Sequence, residues 1–303
     1  MQSKKIPSPS LSFRFLGIWL LGCCYLSQLT QAKPLYFRIQ DKISSAFDEF
    51  YGIQSLKDHT NPTSLKVMTY NIRHASPPST DEIDLDAIAQ VINNQSPDLV
   101  AVQEVDVNTK RSGKIDQAQL LAKKTGMNYF FAKAIDYQGG DYGVLILSKY
   151  PIQSSKKHQL PTLAETKGEP RVLATSVVKL PNNKTVLFAC THLDAQKNNT
   201  NRHLQMAAIN DILKNEKIPV VIGGDFNDVP SSVTISKLDS EFTRTCTKLC
   251  GFTIPATLPT KTIDYLAFKP KNEFVVEKHT VLFGKTERYA SDHLPVLAVL
   301  SLQ

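Results

Sequence analysis

The chain has 303 residues, 42% of them hydrophobic and 21% charged, with a formal net charge of +7. This is ordinary globular composition, with enough chain for one large core or two small ones. Lys4, Lys5 and Arg14 lie in the first 32 positions, which carry no acid; without them 32 basic residues face 28 acidic ones, a net of +4. That balance excludes a polybasic coat and suits an anionic substrate without demonstrating one.

Residues 1–32 read as a signal peptide. The three cations precede an apolar run over 15–26, FLGIWLLGCCYL, too short to span a bilayer comfortably. Thr30-Gln31-Ala32 offers a cleavage site before Lys33, and this ending is favoured. Leu20-Leu21-Gly22-Cys23 resembles a bacterial lipoprotein signal, which would leave Cys23 lipidated. No later segment is apolar enough to cross a membrane, so an exported protein is expected, soluble outside the cytoplasm or tethered to its outer face.

Residues 33–63 form a pre-domain segment. Ile39, Ile43, Phe47, Phe50 and Tyr51 fall near helical spacing, which predicts a short amphipathic helix. It could cap the following domain or contact a membrane or partner; packing on the domain is preferred. From 64 to 303 strands and helices alternate irregularly. LKVMTYNIR reads as a strand, DLDAIAQVINNQ as a helix, DLVAVQEV as a second strand and DQAQLLAKKTG as a helix closed by Gly126. MNYFFAKA and YGVLILSK flank the Gly139-Gly140 turn, and Pro151 closes the second. RVLATSVVKL and KTVLFACTHLD form a hairpin across Pro181-Asn182-Asn183. NRHLQMAAINDILKN is a long helix, and TIDYLAF, FVVEKHTVL and HLPVLAVLSL are later strands. The order is mixed α/β, without the strict alternation of a parallel barrel.

Residues 218–229, IPVVIGGDFNDV, are central. A continuous apolar run broken at glycine reads as a buried strand ending abruptly, with Asp225 and Asn227 at the sheet rim. Other strands end alike: Asn71 and Arg73 after the first, Glu104 after the second, and His192 and Asp194 in FACTHLD. Asp264 opens TIDYLAF, and Asp292 and His293 precede the last strand. Each alone is explained by an ordinary polar turn; together they point to a site. Cys190, inside VLFAC, is expected to be a buried thiol. Cys246 and Cys250 predict a small-loop disulfide in an oxidising compartment, with two unpaired thiols or an incomplete metal site as alternatives.

The ordered set YNIR, QEV, THLD, GGDFND, IDY and SDHLPV resembles the endonuclease/exonuclease/phosphatase superfamily over roughly 64–302. The resemblance implies a four-layer α/β/β/α sandwich, two mixed sheets face to face with helices outside. It implies a metal-dependent phosphoesterase using Mg²⁺, with Mn²⁺ or Ca²⁺ as substitutes; hard oxygen donors at the strand ends suit such ions. By resemblance Glu104 is the main metal ligand, with Asn71 and Asp292 near the metal. Asp225 orients or deprotonates the attacking water, unless a histidine does so. Asn227 holds a phosphoryl oxygen, and His293, paired with Asp264, carries positive charge or acts as acid/base. His192 and Arg73 match the nuclease-like and sphingomyelinase-like branches.

Arg111 and Arg171 are candidate phosphate contacts, because guanidinium binds phosphate bidentately; surface solubility is the alternative. Tyr142 lines the cleft or simply packs. A phosphodiester of nucleic acid or of a phospholipid head group is the leading substrate. A phosphomonoester, or a non-catalytic binding module, are the alternatives, and a monomer is expected. No long apolar insertion for engaging a bilayer is evident.

Overall fold

A computed structural model describes residues 64–80 and 82–303. The expected signal peptide, its two endings and the amphipathic helix over 33–63 lie outside the described residues. The first half runs β1 (Ser64–Asn71), α1 (Leu85–Gln95), β2 (Leu99–Val107), α2 (Gln117–Thr125), β3 (Asn128–Tyr137), β4 (Gly140–Ser148) and β5 (Ile152–Gln159). The second runs β6 (Val172–Lys179), β7 (Thr185–His192), α3 (Thr200–Leu213), β8 (Val220–Asp225), α4 (Val233–Asp239), β9 (Thr243–Arg244), β10 (Asp264–Lys269), β11 (Phe274–Val281), α5 (Lys285–Ala290) and β12 (Val296–Leu302).

The strands form two six-stranded sheets, ordered β11-β12-β1-β2-β4-β3 and β5-β6-β7-β8-β10-β9. In the first, β1 and β2 are parallel; in the second, β7 and β8 are. Both pairs are joined through a helix, α1 or α3, as a parallel crossover requires. Asp84 accepts the Ala87 amide at 2.9 Å to start α1, and Asp116 accepts that of Gln119 to start α2. Gly126, at φ 67°, ends α2 as its sequence predicts. The expected hairpins β3–β4 and β6–β7 are both formed.

Sequence reading passes over β5, because IQSSKKHQ is an edge strand with almost no buried position and no apolar alternation. It also passes over α4 and α5, whose seven and six residues are too short to show helical periodicity.

Side-chain alternation sorts the core into layers. Val67, Ala101, Phe188, Cys190, Val221 and Leu266 lie in the cluster between the sheets. Met68, Tyr70, Val100 and Val102 turn the other way, into a cluster with Ile88 of α1 and Leu121 of α2. Leu187, Ala189 and Ile222 do the same toward Met206 of α3 and Ile235 of α4. The result is the four-layer sandwich, two mixed sheets with helices outside.

Gly223 sets the spacing at its centre. A Cβ there would meet Ala101 Cβ and Leu266 Cδ2 at 3.0 Å and Thr69 Cβ at 3.1 Å, atoms that include the facing sheet. Gly223→Val adds three carbons to this filled space. Overpacking of that kind costs about 1–3 kcal/mol, so we expect a lower urea midpoint with an unchanged m-value.

Candidate active site

Strand register brings the polar strand ends together. With period two, Asn71, His192, Asp225 and Asp264 continue the inter-sheet face of their strands beyond the apolar core. His192 stands opposite Asp225 across β7–β8, and Asp264 stands opposite Asp225 across β10–β8. Glu104 breaks the rule. Alternation would turn it outward with Val102, but the β2–β4 register slips between Val102 and Val105, and Glu104 sits at φ 60°. A bulge with a non-glycine residue in the left-handed region redirects the side chain. Asn71 Nδ2 then donates to Glu104 Oε1 and to Asp225 Oδ2, both at 3.0 Å. Ser291 Oγ donates to the Asn71 carbonyl at 2.8 Å, which anchors the segment carrying Asp292 and His293. Beneath this layer Gln103 Nε2 donates to Thr69 Oγ1 at 3.1 Å and to Cys190 Sγ at 3.3 Å, so the expected buried thiol is a member of a polar row.

Asp225 is the focus of the floor. His192 Nε2 lies 3.6 Å and His293 Nε2 3.8 Å from its Oδ2. The Asn227 amide donates to its Oδ1 at 2.8 Å, while Asn227 Nδ2 donates to the Leu193 carbonyl at 3.0 Å. Burial and the charge of Asp264 push the Asp225 carboxyl up to about 7. The two imidazoles differ. His293 Nδ1 lies 3.0 and 3.2 Å from the two oxygens of Asp264. Burial disfavours its charge, but Asp264, Asp225 and Asp292 outweigh that and raise it to about 10. His192 Nδ1 lies 3.4 Å from Arg171 Nη1. Guanidinium only donates, so Nδ1 accepts and the proton sits on Nε2, toward Asp225. Burial and Arg171 hold His192 well below the usual imidazole range, so it is neutral.

The mouth is wetter. The side chains of Glu104, Arg73 and Asp292 are 25%, 36% and 38% exposed, against 6% for His192 and 1% for Asp264. Arg73 Nε lies 3.6 Å from Asp292 Oδ2. Burial would raise the Glu104 carboxyl, but His74, Asn71 and the charge of His293 hold it below the ordinary carboxylate range. Burial and the Glu104 charge raise Asp292. Carboxylates that crowd one another beside a solvent opening fit a hard divalent cation, which keeps waters and needs few protein ligands. Asn71 Oδ1 already accepts the Arg73 amide at 3.0 Å, which leaves one lone pair. Asp225, Asp264 and His293 also place ligand atoms within 4.8 Å of one another. Both oxygens of Asp264 lie within hydrogen-bond distance of His293, whereas Glu104 and Asp292 are the carboxylates with partial access to solvent.

The peripheral residues divide. Arg171 is buried beside His192 and pairs with Glu169 at 2.8 Å, so it is no solubilising surface group. Arg111 gives its fork to Asp106 at 2.7 and 2.8 Å, and lies 4.5 Å from the Tyr137 ring centre. Its guanidinium fork is therefore engaged by Asp106. Tyr142 is buried, 5.4 Å below Arg111, and shares a small enclosed space with Arg171 and His192. Sequence reading misses His74, whose Nδ1 lies 4.0 Å from Glu104 Oε2, and also Ser291 and Glu169. All three adjoin residues that it singles out: His74 follows Arg73, Ser291 precedes Asp292, and Glu169 lies two before Arg171. Cys246 and Cys250 are paired, with Cα atoms 5.5 Å apart.

The uncharacterized protein YbhP of Escherichia coli K12 is 26% identical over 263 residues, covering 82% of this chain and all of YbhP. The mannosyl-6-phosphatase Bt3783 of Bacteroides thetaiotaomicron superposes with a TM-score of 0.64 at 19% identity, covering 78% of this chain and 100% of that one. The human Nocturnin catalytic domain, solved with a bound sulfate anion, superposes with a TM-score of 0.63 at 20% identity, covering 80% and 95%. The profile of the endonuclease/exonuclease/phosphatase family, whose members are in general phosphate-ester hydrolases, matches residues 68–293, and the chain belongs to that family.

Proposed function

We propose that the protein is an exported, divalent-cation-dependent phosphoesterase that hydrolyses a phosphodiester by attack of water. The observation that carries this reading is the meeting of Glu104, Asp225 and two differently charged imidazoles around one solvent opening. Glu104, with Asp292 and Asn71, would hold Mg²⁺. Bound there, the cation supplies Lewis-acid neutralisation of phosphoryl charge. Asp225 takes a proton from the water whose oxygen bonds to phosphorus. Asn71 and the Asn227 amide fix the orientation of that carboxylate. Charged His293, held by Asp264, faces the phosphoryl group and gives its Nε2 proton to the ester oxygen as the phosphorus–oxygen bond breaks. Neutral His192 donates through Nε2, and Arg171 fixes that tautomer from behind.

Nucleic acid and phospholipid head groups both remain in the substrate class. A phosphomonoester is the second reading, favoured by the similarity to a mannosyl-6-phosphatase. A non-catalytic module would be marked by loss of a ligand or a histidine, and none of these positions is lost. A panel of plasmid DNA, RNA, sphingomyelin and inositol phosphates separates the substrates.

Two outcomes are expected with bis-p-nitrophenyl phosphate. Chelation abolishes turnover and Mg²⁺ restores it, and Glu104→Gln lowers it by roughly 100-fold or more. Activity indifferent to both removes the mechanism. His293→Ala and Asp264→Asn each lower kcat by about two orders of magnitude, and the double variant adds little, because the pair acts as a unit. Additive losses would separate Asp264 from the histidine.

A further inference from the structure

Beside Asp292, neighbouring loops expose large apolar side chains that no core uses. Leu249 is 105% exposed, Leu258 74%, Phe283 55% and Phe252 54%. These loops are built into the end of the sandwich. Gly251 packs on Val281, where a Cβ would meet Val281 Cγ2 at 3.0 Å, and Phe283 follows two residues on. Thr262 Oγ1 donates to the Gly251 carbonyl at 2.6 Å. Ile254 pairs with Lys261 to close the loop that carries Leu258. The Ala256 amide donates to the Asp292 carbonyl, and that of Leu294 to Thr253, both at 2.7 Å, so the same loop borders the candidate active site.

The loop that carries Leu249, Phe252 and Leu258 is basic. Residues 246–262 contain Lys248 and Lys261 and no acid. Residues 281–291 contain Lys285 and Arg288 against Glu287, which is buried and folds back on Gly284. The Arg288 guanidinium lies 4.9 Å from the Phe283 ring centre. Residues 246–262 alone carry a net of +2, whereas Asp84, Asp86 and Asp292 border the 281–291 stretch. Exposed leucine and phenylalanine ringed by lysine and arginine match the boundary between acyl chains and anionic head groups. A nucleic-acid backbone would use the cations but not Leu249 and Leu258.

We propose that the loops bearing Leu249, Phe252, Leu258 and Phe283 dock the protein on an anionic phospholipid bilayer, with the candidate active site at the edge of the contact. Docking rests on exposure and charge alone; delivery of a lipid-borne phosphoester to the site rests on the phosphoesterase reading.

Hydrogen exchange of the full chain tests this locally, free of whatever residues 1–63 do at a membrane. With phosphatidylglycerol-containing vesicles, amides over 246–262 and 281–288 should exchange at least about threefold more slowly than with pure phosphatidylcholine. Leu249→Ser with Phe283→Ser should abolish that protection, and Lys248→Glu with Lys261→Glu should remove the preference for anionic lipid. Unchanged exchange, equal protection by both lipids, or protection by plasmid DNA but not by vesicles overturns the proposal. Protection by anionic vesicles without hydrolysis of any phosphoester keeps docking and rejects the delivery step together with the phosphoesterase reading.

Discussion

Asn71 directs its two amide protons to carboxylates that belong to different sheets, Glu104 on β2 and Asp225 on β8. Its own carbonyls are held by the Arg73 amide and by Ser291 Oγ. Buried amides with both donors and acceptors satisfied are fixed in orientation. The cluster is therefore locked across the seam of the sandwich rather than within either sheet. The bulge at Glu104 belongs to the same constraint, since without its left-handed backbone the carboxylate would face the outer helices.

The floor and the mouth differ in dielectric, and the charges follow. On the floor, two imidazoles approach one carboxylate oxygen of Asp225, but their partners are opposite in kind. Asp264 holds a proton on His293 Nδ1, whereas Arg171 requires a lone pair on His192 Nδ1. The result is a cationic and a neutral donor facing the same point. At the mouth, Glu104 and Asp292 keep partial access to solvent, where a hydrated cation can be exchanged.

Much of this was legible in the residues. The strands whose buried runs stop at Asn71, His192, Asp225 and Asp264 announce the site, because period two carries polar ends onto the apolar face. The long helices and both hairpins were legible for similar reasons. The bulge at Glu104 was not, since nothing local in QEV marks a register slip. Nor was the partner of Arg111, because its pairing with Asp106 depends on how residues 106–112 fold back. Edge strand β5 escaped since its neighbours bury almost nothing of it. The apolar rim at Leu249, Phe252, Leu258 and Phe283 was invisible as a set. It is scattered over separate loops and joins only when Gly251 meets Val281.

Because one carboxamide spans the seam, catalytic alignment depends on the distance between layers as much as on any single side chain. Hydrogen bonds weaken steeply with separation, whereas each ladder is sustained within its own sheet. Heating or a loosened core that spreads the layers slightly would disconnect Glu104 from Asp225 while both sheets stay intact. Loss of turnover then becomes an early gauge of slackening between the layers, ahead of any change in far-ultraviolet dichroism.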